Sequence, residues 1–74
     1  LCRNDLIGVL IDRFGKDIPV IPVDEEHFRT RVLVSVSRQF FGWITGIGRE
    51  LRIEGPDHVK AEYQQYLREI LDVY

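Results

Sequence analysis

At 74 residues, with 45% hydrophobic and 30% charged residues and a net charge of −2, the chain has the composition of one small globular domain. The slight acidity excludes a broadly basic nucleic-acid binder, and no apolar run approaches the roughly 18 residues of a membrane span. One cysteine, Cys2, excludes an internal disulfide and makes a reducing cytoplasm the expected location. The elements follow in chain order. Asn4 is a good N-cap, and Leu6, Ile7, Leu10, Ile11 and Phe14 recur at helical spacing before Gly15, so the spacing predicts a helix over 4–14. Pro19 and Pro22 make "DIPVIPVD" an edge strand or an extended strap. "HFRTRVLVSV" alternates, with Phe28, Thr30, Val32, Val34 and Val36 on one face and Arg29, Arg31, Leu33 and Ser35 on the other. This predicts a half-buried strand over 28–36.

Ser37 is placed to cap a helix running through about Ile47, with Phe40, Phe41, Trp43, Ile44 and Ile47 on its apolar side and Gly48 closing it. Gly42 and Gly46, four apart, are read as marking a close approach of that helix to the sheet. "ELRIE" predicts a strand over 50–54, and Gly55-Pro56 opens a terminal helix from residue 56, striped by Val59, Tyr63, Tyr66, Leu67, Ile70, Leu71 and Tyr74. The strand–helix–strand unit over 28–54 predicts a right-handed crossover between parallel strands. The expected fold is α+β, a small two-layer sandwich of the ferredoxin-like variant, with helices covering one face of a short sheet. Residues 1–74 are expected to form a single domain, with 1–15 its N-terminal helix and 16–74 the sheet and remaining helices. No methionine occurs, position 1 included, so the chain is read as a fragment of a longer protein.

Charge is unevenly spread. Residues 27–52 carry Arg29, Arg31, Arg38, Arg49 and Arg52 against Glu50 alone, while both flanking thirds are acidic. The alternation puts Arg29, Arg31 and Leu33, with Arg52 from the next strand, on the open face of the sheet. Arginine's planar fork suits phosphate or carboxylate, so these four residues are the candidate contacts to an anionic ligand or partner. The plainer reading is a solvated face with Glu50 and Glu54 as surface partners. Trp43 could stack on a base or partner if it reaches the rim of the core.

Catalytic groups do not assemble. His27 and His58 have no metal-ligand spacing with Cys2, Ser37 already has a capping role, and "DEEH" at 24–27 reads as a charged turn. "GIGREL" precedes a strand where a phosphate loop would open a helix. No catalytic residue, metal or cofactor is expected.

"DRFGKDIPVIP", "VSVSRQFFGWITGIG", "LRIEGPDHVKAEY" and the closing "YLREILDVY" together resemble the C-terminal extension, or WCX domain, of WYL-domain transcriptional regulators. The resemblance runs from about Asp12 to Tyr74. It implies a bacterial, cytoplasmic regulator whose winged helix-turn-helix and WYL domains lie upstream of this module. It also implies a homodimer, with the module contributing to effector sensing and to dimer and domain packing. The arginine face adds the expectation of an anionic effector, such as a nucleotide or single-stranded nucleic acid, or of an acidic neighbouring domain, and no membrane is expected to be involved. A purely structural dimerisation domain and a single-stranded nucleic-acid binder are the alternatives.

Overall fold

In the computed structural model, which describes residues 1–74, the chain runs β1 (Cys2–Arg3), a 3₁₀ turn (Asn4–Leu6), α1 (Ile7–Phe14), β2 (Ile21–Pro22), β3 (His27–Arg29), α2 (Arg38–Ile47) and α3 (Asp57–Leu71). The strands form one antiparallel sheet in the order β1-β3-β2. With three helices beside it, this is the expected α+β class.

Both ends of α2 follow local chemistry, whereas Asn4, expected to cap the first helix, lies inside the 3₁₀ turn and donates its side-chain amide to Glu25 O at 3.0 Å, leaving α1 without a side-chain cap. Ser37 is extended, and its Oγ accepts from the Phe40 N–H at 3.2 Å, a cap contributing about 1 kcal/mol. Gly48 ends α2 at φ 94°, a region that penalises any side chain. Pro56 sits one place before α3, where its carbonyl accepts from the Val59 and Lys60 N–H groups, instead of at the first helical position. The turn between β2 and β3 is the "DEEH" stretch. Asp24 Oδ1 accepts from the Glu26 N–H at 2.8 Å, and its carboxylate also meets His27 Nδ1 at 2.9 Å. Those contacts hold the Asp24 carboxyl below its ordinary value, the Glu26 bond foremost.

The strands depart from expectation. The one expected over 28–36 pairs only across His27–Arg29. Its alternation nevertheless persists as far as Val34, because Thr30, Val32 and Val34 are half-buried while Arg31, Leu33 and Ser35 are exposed, but Val36, expected on the inner face, is exposed as well. Pairing stops because no segment offers backbone partners to residues 30–36. The strand expected over 50–54 is reduced to a bridge between Leu51 and Cys2. Flanking bonds run from the Arg3 N–H to Glu50 O at 2.9 Å and from the Arg52 N–H to Leu1 O at 2.8 Å. The expected parallel neighbours are therefore not neighbours. β1 lies between them, antiparallel to both, and at two residues it is too short to leave a period in the sequence.

The core is two abutting clusters. Cys2, Leu10 and Phe28 form one, and Phe40, Phe41, Ile44 and Val59 the other, with Phe14, Trp43 and Leu51 packed against both. Gly42 faces Tyr66 of α3, whose Oη would lie 3.6 Å from an added Cβ, and Gly46 faces open space. The close approach read from the glycine pair is thus to a helix, at Gly42 alone, and not to the sheet. Gly46→Ala should then stabilise the chain by about 0.5–1 kcal/mol, since only the backbone freedom of the unfolded state changes. Thermal unfolding checks this, and an unchanged or lower midpoint would contradict the open environment.

Candidate functional site

Alternation along 28–34 and around Leu51 sets the site. Even-numbered side chains of the first segment turn toward the helices, so Arg29, Arg31 and Leu33 turn outward, and Arg52 does the same from the neighbouring segment. Leu33 touches nothing, at 103% exposure. A trough of about 930 Å³ gathers these residues. Residues 29–34 form one wall and 51–56 the other, Leu1 and Cys2 close one end, and Phe40, Trp43 and Ile44 contribute to the floor. Arg29, Arg31, Leu33, Arg52 and Trp43, singled out from the sequence, therefore all line one cavity.

Their surroundings differ. Arg29 is held by Glu54 through two hydrogen bonds, Nε to Oε1 at 2.5 Å and Nη2 to Oε2 at 3.0 Å, spanning Leu1 on the outer face of the sheet. The N-terminal ammonium stands 3.8 Å from the same carboxylate. Arg31 and Arg52 make no ion pair and no side-chain hydrogen bond, leaving two free guanidinium groups at the trough. Trp43 is clasped: Phe14 meets it edge-on at 5.5 Å, Phe40 stacks at 6.3 Å, and the Arg13 guanidinium lies 5.1 Å from its ring. That packing makes it chiefly a core residue, with the cation contact adding roughly 0.5–1 kcal/mol. Sequence reasoning missed Arg13, whose role depends on α1 and α2 meeting.

The Arg29 hydrogen bonds pull the Glu54 carboxyl down from its ordinary 4.5 to about 2, aided by the N-terminal ammonium and Arg52. A carboxyl depressed on folding contributes stability that is present above its unfolded value and lost as pH falls through the folded one. Stability should therefore decline from about pH 4.5 toward 2, and Glu54→Gln should flatten that part of the curve. Chemical denaturation across this window checks it, and parallel curves for both proteins would contradict the clamp.

No group of three or more His, Cys, Asp or Glu side chains is placed to hold a metal ion, and no helix is long and apolar enough to cross a membrane. Burial pushes the Cys2 thiol above its ordinary value, the condition of an unreactive structural cysteine.

A short antiparallel sheet with arginines on its outer face and three supporting helices defines a small α+β module. The chain belongs to the WCX domain family, which it matches over residues 4–71. No curated protein and no solved structure matches it.

Proposed function

We propose that this chain is the non-catalytic C-terminal module of a bacterial, cytoplasmic WYL-type transcriptional regulator, and that it senses an anionic effector through its outer sheet face. Family membership over residues 4–71 supports the place in such a regulator. The observation carrying the sensing role is the pair of unpartnered guanidinium groups, Arg31 and Arg52, at one trough. Arg29 is already engaged by Glu54, so it orders the face and is not the first contact. An effector bound better in one arrangement of this module and its upstream WYL neighbour shifts the population toward that arrangement, and with it the spacing of the DNA-binding heads of a homodimer.

A non-catalytic role is consistent with the commitments of the reactive groups. His27 is tied to Asp24 in a turn, and Cys2 is buried beneath the sheet. The exposed tail of α3, with Leu71 at 70% and Tyr74 at 99%, favours self-association as the second reading.

The test is an amide-resolved NMR titration with a short single-stranded oligonucleotide, used as a polyanionic probe. Shifts are expected around Arg31 and Arg52, weakening as salt rises, and Arg31→Ala with Arg52→Ala should abolish them. A silent spectrum with concentration-dependent mass would replace sensing with the dimerisation reading.

A further inference from the structure

The trough has a feature that a ligand pocket on one face of a sheet lacks. Its lining includes outward-facing Arg31 and Leu33 together with core-facing Phe40, Ile44 and Val59. It passes through the layer of the sheet. The two walls are the segments that flank β1 at its Leu1 end, so the cavity lies in the lane that β1 itself occupies further along.

Side chains alternate between half-buried and exposed over residues 30–34 and from Ile53 to Glu54, yet no backbone hydrogen bond reaches residues 30–36 or 53–55. Thr30 Oγ1 is buried with no partner. Bare backbone along both sides of one lane is what a sheet presents when a central strand is missing, because each buried N–H and C=O needs a partner.

We propose that the lane is filled by an extended strand formed by the residues leading into Leu1 in the longer regulator, prolonging β1 between residues 30–34 and 53–55. This rests on reading the chain as a module of such a regulator. The direction and position are fixed by pairing already present. Leu1 and Arg52 exchange both backbone hydrogen bonds at 2.8 Å, so the strand is still in register at its first residue. A second molecule would have to stop against that same amide.

The register gives the partners. Cys2 lies opposite Phe28 and opposite Leu51, and each step back along β1 is one step forward on either neighbour. The residue before Leu1 then falls between Thr30 and Ile53, the next between Arg31 and Glu54, and the third between Val32 and Gly55. Antiparallel pairs alternate between bonded and non-bonded, and the Asn4 N–H bond to Glu26 O fixes the phase on the β3 side. Thr30, Val32 and Val34 therefore aim their N–H groups into the lane. On the other wall Arg52 is already bonded and Glu54 is next, and Pro56, without an N–H, ends the ladder.

The side-chain pattern follows as well. Thr30, Ile53 and Val32 turn inward, so the first and third residues before Leu1 turn inward with them and should be apolar, covering Phe40, Ile44 and Val59. The second turns outward beside Arg31 and Glu54. A strand in this position would join the module to the preceding domain through its central strand and not through a loose tether. An effector on the arginine face would then act on a rigid connection.

Residue-resolved amide hydrogen exchange on the full-length regulator and on the 74-residue chain tests this. In the regulator, the Thr30, Val32 and Glu54 amides should be protected at least about tenfold more than in the short chain. The Ile44 amide serves as the folding control in both. Unprotected Thr30 and Val32 amides in a regulator whose Ile44 amide is protected would overturn the proposal. If the short chain fails to protect Ile44, Thr30 and Val32 in the regulator are compared with Arg31 and Leu33 instead. Protection confined to the even positions supports the lane, and no difference refutes it. Protection of Thr30 and Val32 in the short chain with the mass of a dimer would assign the lane to a second copy and refute the proposal too. A failed oligonucleotide titration would leave it standing, since no arginine side chain takes part.

Discussion

Phe28→Ala should remove most of the stability of the chain. Phe28 is the most thoroughly buried large side chain, 2% exposed, on the middle strand of the sheet with Cys2 opposite on one side and Pro22 on the other. Beneath it lies Leu10 of α1 in the same cluster. Truncating a buried phenylalanine to alanine costs about 3–5 kcal/mol, counting lost transfer energy and the cavity left behind. A domain of this size has only roughly 4–11 kcal/mol to lose. The remaining core cannot compensate, since only seven residues are buried in all. In domains of 60–100 residues each kcal/mol moves the thermal midpoint by about 4–8 °C, so the drop should exceed about 10 °C. Leu33→Ala is the control, because that side chain has no neighbours and its loss should be nearly neutral in this chain. Equal effects of the two substitutions would contradict the burial described.

The same contrast shows what could be read from the sequence. Alternation from Phe28 onward assigns each side chain to a face, and those faces hold as far as Val34 even where the ladder is absent, while Val36 turns out exposed. Pairing could not be read, because it depends on what lies alongside. β1 carries the sheet on two residues, and no periodicity argument can recover so short a strand. α2 was legible end to end because Ser37, the apolar stripe and Gly48 all specify it locally. Local agreement of this kind is the condition under which propensity arguments succeed.

The site divides along the same line. Arg29, Arg31, Leu33 and Arg52 fall on one surface by alternation alone, and Glu54 was a foreseeable surface partner. That Glu54 grips Arg29 and leaves Arg31 and Arg52 free depends on the register between segments 25 residues apart. Trp43 was legible as an aromatic on an apolar helix face. Its enclosure by Phe14 and Arg13 required the packing of α1 against α2.

Phe41→Ala should act differently from Phe28→Ala, although the truncation is the same. Phe41 is the hub between α2 and α3, its ring 5.2 Å from that of Tyr63, 5.5 Å from Tyr66 and 6.0 Å from Phe40. α3 has few other holds. Val59 is its one buried residue, Thr45 meets the Tyr63 hydroxyl at 3.0 Å, and its last turn is largely exposed. A helix of 15 residues is marginal in water without docking, so losing about 3–5 kcal/mol at the hub should release α3 before the sheet gives way. The expected result is a fall in helix content at 25 °C, with faster amide exchange concentrated in residues 59–67 and the Phe28 amide still protected. Phe41→Leu, which keeps most of the volume, should retain the docked helix. If Phe41→Ala instead weakens all amides equally, the two clusters unfold as one unit through Phe14, Trp43 and Leu51, which touch both. The sheet and α3 would then share a single stability, and a change on the arginine face would be felt along the whole chain.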